Sequence, residues 1–280
     1  RKEGEGPSGI ADVDDAYVLA GDAYNFFSRE HGRDSLDNDG RRIKVTVRRV
    51  PRAGSTFCTN ACFVEWRRRL YFGRGLVVDD ILGHEYTHGV TSFESELVYE
   101  NSSGAINEGF SDLWGEFIDL TNGRGTDTDA VRWLIGEDAP GGYSRNMKDP
   151  PDRSDPDRMG SEHYRQPVSD PKRDNDYGGV HTNSGIVNKL GYLLTDGDCF
   201  NCTCVNGLGI SKVADLFYEA SLSLTSTAGF SSLASALQRA AVTLGWTDDE
   251  KYNVCLALIA VEIVDRCDGS DTVWTARGGD

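Results

Sequence analysis

The segment His84-Glu85-Tyr86-Thr87-His88 carries two imidazoles four residues apart with a carboxylate between them. On a helix, positions i and i+4 share a face, so both rings can reach one metal ion. Glu85 lies about 100° round the same helix, beside the metal rather than on it. That is where a general base for an attacking water belongs. With five histidines in 280 residues, such a pattern arises by chance in about 0.5% of chains, so a packed pair of core histidines is the weaker reading.

A catalytic zinc takes three protein ligands and keeps one position open. The metzincin extension would need Gly at position 91 and His at 94; the chain has Thr91 and Glu94, which excludes that branch. The alternative is a Glu on a following helix with an Asp one turn later. Glu108 and Asp112 stand at i and i+4. Glu108 would bind the zinc, and Asp112 would hold His84 and fix its tautomer. Taken alone, an exposed acidic helix face would be the commoner reading of this pair; the upstream histidine motif reverses that preference.

These residues need elements to carry them. Apolar residues at helical spacing predict a helix over 13–31, and Ile43, Val45 and Val47, alternating with Arg and Lys over 42–49, predict a half-buried strand. Residues 61–72 read as a hairpin with Arg67, Arg68 and Arg69 at its turn. Further helices are expected over 77–90, 105–120, 180–195, 210–225, 230–244 and 248–264. Residues 122–129 read as a Gly/Asp/Thr loop, and residues 139–179, rich in Pro, Gly, Asp and Arg, as irregular chain long enough to be functional loops. The fold class is therefore α+β: a mixed strand and helix N-terminal domain over 1–100, including the histidine-bearing helix, and a mainly helical C-terminal domain over 101–280.

Composition narrows the function. Lys and Arg number 29 against 45 Asp and Glu, for a net charge of −16, the wrong sign for a nucleic-acid binder. No apolar run approaches the ~18 residues of a membrane span. Seven cysteines (58, 62, 199, 202, 204, 255 and 267) lie near turn residues, suggesting disulfides and an oxidising compartment. Zinc binding by Cys199, Cys202 and Cys204 is the rival. An odd count leaves at least one thiol free or paired between chains, and Cys58–Cys62 is a plausible local pair. The chain begins at Arg1 with no signal sequence, as a processed or trimmed product would. His31 and His163 read as ordinary surface residues.

Three ordered motifs resemble the thermolysin family of zinc endopeptidases. They are Gly83-His84-Glu85-Tyr86-Thr87-His88-Gly89-Val90-Thr91, then Gly104-Ala105-Ile106-Asn107-Glu108 with Ser111-Asp112, then the run from Gly178-Gly179-Val180-His181 to Asn188-Lys189. Nineteen residues separate His88 from Glu108, the family's spacing. The resemblance implies one catalytic zinc on His84, His88 and Glu108, and peptide hydrolysis by a zinc-activated water with Glu85 as general base. It implies that His181, oriented by Asp176, and Tyr99 donate to the developing oxyanion, and that Asn107 supports His88. The active-site cleft would lie between the two domains.

The resemblance also implies that the edge at Asn60 and Ala61 pairs with the substrate backbone, that Arg145 holds the carbonyl after the scissile bond, and that Ile81 and Ile135 line the pocket for the next side chain. Cleavage would then fall on the amino side of bulky hydrophobic residues. One structural calcium is expected at Asp80, Asp119 and Glu137, aided by Asp127 or Asp129. Arg132 and Leu134 stand where relatives present carboxylates, and Arg132 would repel a second cation. Implied too are secretion, a zymogen with its own propeptide, peptide or unfolded protein substrates, and a monomer. A catalytically silent binding protein on the same fold is the alternative, though such proteins typically lose Glu85 or His181. A zinc exopeptidase is disfavoured by the spacing.

Overall fold

The computed structural model describes residues 1–50 and 60–267. Helix α1 (Ala11–His31) buries Ala16, Leu19, Ala20, Ala23, Phe26 and Phe27 on one face. It ends at Gly32, whose left-handed φ of 63° lets its N–H close on the last turn. A three-stranded sheet follows, from β1 (Val45–Thr46), β2 (Ala61–Val64) and β3 (Arg69–Phe72), in the order β1-β3-β2. The expected hairpin is present, turning through Glu65–Arg67 with Arg68 at φ 48°. Strand β2 pairs antiparallel with β3, Ala61 opposite Phe72, and forms the sheet edge. The expected strand over 42–49 shrinks to Val45–Thr46, the pair in parallel register with Leu70 and Tyr71.

Helix α2 (Asp79–Thr91) carries the histidine motif and α3 (Asn101–Asn122) carries Glu108 and Asp112. Two glycines let their backbones meet. A Cβ on Gly83 would lie 2.9 Å from Gly115 Cα, and one on Gly115 would lie 2.6 Å from the Asp80 carbonyl. Phe27 of α1 covers this pair, stacked on Trp114 at 5.8 Å and tilted against Tyr86 at 5.4 Å. Strand β4 (Leu134–Ile135) follows the loop after α3.

The rest is mainly helical. After β5 (Arg145–Asn146) the chain is irregular, apart from single 3-10 turns at Pro150–Arg153 and Arg173–Asn175, as its composition anticipates. Helix α4 (Asp176–Asp196) is largely buried, with α5 (Ile210–Leu222) and α7 (Asp248–Ala260) packed on it and α6 (Phe230–Thr243) packed on those two. Thr247 opens α7 with a reciprocal cap to Glu250. The expected helix over 248–264 stops at Ala260. A hairpin, β6 (Gly197–Phe200) and β7 (Thr203–Asn206), follows α4 where no strand was anticipated. Cys199 faces Cys204 across it and the two are bonded, as are Cys255 and Cys267. That removes the zinc reading of the 199–204 cluster. Cys202 is the free thiol among the described residues. Cys62 is disulfide-bonded; its expected partner Cys58 lies outside the described residues.

The chain divides into two compact units, one of 1–93 with 111–144, the other of 94–110 with the chain from 145 onward. These units divide the chain by contacts and interleave along it, unlike the continuous domains expected over 1–100 and 101–280. Helix α3 belongs to both units: its second half meets α2 at Gly115, while its first half meets α4. A Cβ on Gly104 would lie 2.3 Å from Val180, and one on Gly109 2.4 Å from Val187. Spacing along a sequence cannot show that one continuous helix is shared in this way.

His31 is also corrected. It is largely buried, accepts a hydrogen bond from Trp114 Nε1 at 3.2 Å, and lies edge-on to Phe27. Burial is the main cause that pushes its pKa down from 6.5 to about 4. His163 is half-buried in the 154–172 loop.

Two outcomes follow. Gly115→Ala should lower stability by about 1–3 kcal/mol through overpacking, read as a lower denaturant midpoint, whereas Gly141→Ala, with nothing within 4 Å of its Cβ, should be neutral. The unfolded chain takes up a proton on His31 below about pH 6.5 and the folded chain only near pH 4. Stability should therefore fall as pH drops through that window, and His31→Gln should flatten the fall in thermal melts.

Candidate active site

Helical spacing puts His84 and His88 on one face of α2, and their Nε2 atoms are 2.9 Å apart. Each ring is fixed from behind. His84 Nδ1 lies 2.9 Å from Asp112 Oδ1, a fully buried carboxylate. An ionised carboxylate only accepts, so Nδ1 carries the proton and the Nε2 lone pair faces outward. His88 Nδ1 lies 3.1 Å from Ser111 Oγ. Glu108, one turn before Asp112 on α3, completes the set: one ligand atom from each of His84, His88 and Glu108 lies within 4.8 Å of the others. Among the described residues it is the one such group of three. Two imidazoles and a carboxylate converging from fixed backbones suit a catalytic zinc.

Glu85 is buried, and its Oε2 accepts from the Phe63 N–H at 2.5 Å. The base candidate is thus tied to the edge strand β2. Asn60 is exposed at the start of that strand and Ala61 is half-buried on it; the Asn60 carbonyl accepts from Gly73 N at 2.9 Å.

Around Glu108 stand the other expected groups. Tyr99 Oη donates to Glu108 Oε1 and lies 3.0 Å from His181 Nε2. His181 Nδ1 is 2.5 Å from Asp176 Oδ1, and the other oxygen of Asp176 accepts from His181 N and Thr182 N at 3.0 and 3.1 Å. The charge of Glu108, 3.5 Å away, is the main cause raising the His181 pKa; burial opposes it and the Asp176 bond adds to it. Burial alone would raise Asp176, but the bonds from His181 and Thr182 outweigh it and hold its carboxyl below the usual range. Arg145 is half-buried on β5, and its charge is felt at His181. Ile135 is buried and Ile81 half-buried; a Cβ on Gly136, the residue after Ile135, would be 3.6 Å from Ile81 Cδ1.

Asn107, expected to support His88, is buried and its Nδ2 donates to the Leu97 carbonyl at 3.1 Å. Ser111 Oγ is a further group on His88 Nδ1. The signal for Ser111 was available, because i+3 from Glu108 shares its face.

A second cluster lies at the N-terminus of α2. Asp79, Asp80, Glu116 and Asp119 are all buried, with Glu137 half-buried beside them. Asp80 accepts from Ile81 N at 2.6 Å and from Gly136 N; Glu116 accepts from Trp133 N at 2.6 Å. Glu116 Oε2, Asp119 Oδ1 and Glu137 Oε2 are buried without a hydrogen-bond partner. Burial, reinforced by neighbouring carboxylates, pushes Asp80 up to about 7, Glu137 to about 8 and Asp119 to about 11. Asp127 is exposed and bonded toward Asp119; Asp129 is exposed in the same loop. Orphaned buried carboxylate oxygens are the donor set a calcium ion takes. Glu116 was missed, although Glu108, Asp112 and Glu116 form one acidic stripe at i, i+4 and i+8.

The chain belongs to the thermolysin metallopeptidase family. Residues 8–92 match the model of the family's catalytic domain and residues 95–263 that of its alpha-helical domain. The chain is 41% identical over 251 residues to a zinc metalloproteinase of Renibacterium salmoninarum, covering 86% of this chain and 46% of that protein. It is 37% identical over 260 residues to the thermostable neutral protease of Geobacillus stearothermophilus, covering 89% and 44%. It thus spans somewhat under half the length of these curated relatives. Among solved structures, the precursor of protealysin, a metalloproteinase from Serratia proteamaculans, superposes with a TM-score of 0.74 at 27% identity, covering 93% of this chain and 81% of that one.

Asp112→Ala should weaken zinc binding about 10- to 100-fold while Ser111→Ala weakens it less, measured by competition with a chromophoric chelator.

Proposed function

We propose that this chain is a zinc endopeptidase that cuts peptide bonds on the amino side of bulky hydrophobic residues. The observation that carries it is the convergence of His84, His88 and Glu108 on one point with both Nδ1 atoms held from behind. A zinc ion in this set supplies Lewis acidity toward a carbonyl and toward water. Glu85, anchored on β2, takes the proton of the attacking water and passes it to the leaving amine. Tyr99 Oη and His181 Nε2 donate to the carbonyl oxygen as it gains charge, and Asp176 keeps His181 protonated and aimed. The edge strand at Asn60 and Ala61 adds the substrate as a further strand, a sequence-tolerant mode. Arg145 holds the carbonyl after the cut bond, and Ile81 and Ile135 favour Leu or Phe there.

Around this centre, Asp80, Asp119 and Glu137 would hold one calcium, aided by Asp127 or Asp129; the bond of Asp127 to Asp119 supports the former. The paired cysteines support secretion, and the precursor form of the protealysin relative supports synthesis with a propeptide. Substrates are peptides or unfolded proteins, and the chain acts as a monomer. No helix among the described residues is long and apolar enough to cross a membrane.

Glu85→Gln should keep zinc and lose nearly all turnover; hydrolysis at the wild-type rate would remove the base assignment. His181→Ala should cost about 10²–10³ in kcat, as for one oxyanion donor, and a change confined to KM would make it a binding residue instead. Cleavage mapping on a mixed peptide library checks the specificity, which a dominant charged residue after the cut would contradict. Calcium titration by calorimetry should show one strong site that Asp80→Ala removes. Two strong sites, or a site indifferent to Asp80, would contradict the single-ion reading.

A further inference from the structure

Four successive residues before the main body of α4 are left-handed: Asp176, Tyr177, Gly178 and Gly179, at φ 53°, 50°, 86° and 86°. Two of them have a steric reason to be glycine. A Cβ on Gly178 would fall 2.1 Å from Asn101 Oδ1, and one on Gly179 2.6 Å from Arg165 Cβ. Asp176 uses the turn to reach His181 and Thr182. Tyr177 has no such backbone reason. A bulky side chain in this region is strained where Gly or Asn would not be, and strain of this kind gathers at functional sites. What the turn delivers is the ring, which is half-buried and meets Tyr99 edge-on, centroids 5.5 Å apart at 69°.

Tyr99 needs such a wall. It lies in the segment between α2 and α3 and is 37% exposed. Its hydroxyl must stay beside both Glu108 Oε1 and His181 Nε2, so the orientation of its ring decides where the donor points. His181 is also edge-on to it, at 5.9 Å, and Tyr177 adds a second aromatic contact.

We propose that Tyr177 is a positioning residue for oxyanion stabilisation, its ring held by the left-handed turn so as to fix the Tyr99 ring and keep the Tyr99 hydroxyl aimed beside His181. This rests on the reading of Tyr99 as an oxyanion donor. Kinetics on the zinc-loaded chain test it. Tyr177→Phe keeps the ring and should stay within about twofold of wild type. Tyr177→Asn and Tyr177→Gly, both at ease in this backbone, should keep or raise the melting temperature and lower kcat about three- to tenfold with KM little changed, the scale of one aromatic contact. In a Tyr99→Phe background, which has no hydroxyl to aim, Tyr177→Asn should cost almost nothing further. Equal costs in both backgrounds, an effect on KM alone, or no rescue by Phe would overturn the proposal. If Tyr99→Phe itself keeps full kcat, the donor reading of Tyr99 falls and the role of Tyr177 with it. If Tyr99→Phe is costly and Tyr177→Asn is silent, only the role of Tyr177 falls.

Discussion

The contact on which the site depends is the hydrogen bond between His84 Nδ1 and Asp112. An imidazole has two nitrogens, and a metal wants the lone pair of one while the other is committed elsewhere. Asp112 can make that commitment because α2 and α3 approach backbone to backbone at Gly83 and Gly115. Any side chain at Gly115 would strike the Asp80 carbonyl, displacing Asp112 from His84 and, on the same helix, Ser111 from His88 and Glu108 from the set. On the proposed reading, the two glycines matter to the metal-holding set as much as its ligands do.

The same logic recurs at His181. The donor role proposed for its ring requires a proton at Nε2, and Asp176 lies against the opposite nitrogen. Asp176 reaches that position through a backbone conformation open to few residues, and Gly178 and Gly179 permit it. Both imidazoles of the proposed chemistry thus have a buried or half-buried carboxylate behind them. Glycines make room for each, at Gly83 and Gly115 for two helix backbones and at Gly178 and Gly179 for the side chains of Asn101 and Arg165.

Much of this was legible in the sequence. The i, i+4 spacing of His84 and His88, and of Glu108 and Asp112, has one helical interpretation, and seven expected helices stand where the apolar period put them. What the sequence obscured was tertiary. A short strand pair at 197–206, carrying Cys199 and Cys204, has too few residues to show alternation against the helices on either side. His31 looks like a surface residue until Trp114, 83 positions away, supplies its donor. Ser111 as a group on His88 depends on the rotation of α3, which spacing along the chain does not give. The shared membership of α3 reflects which side chains its glycines admit. Glu116 continues the stripe of Glu108 and Asp112, but its own role shows only when Trp133 and the carboxylates near it are in view.

The central claim, that His84, His88 and Glu108 hold one zinc that the peptidase chemistry requires, is most directly tested by metal analysis of the purified chain coupled to activity on an unfolded protein substrate. The account predicts one zinc per chain, loss of zinc and of hydrolysis together on treatment with a chelator, and return of both when zinc is restored. Hydrolysis that persists in zinc-free protein, or zinc that remains bound after His88→Ala, would contradict it.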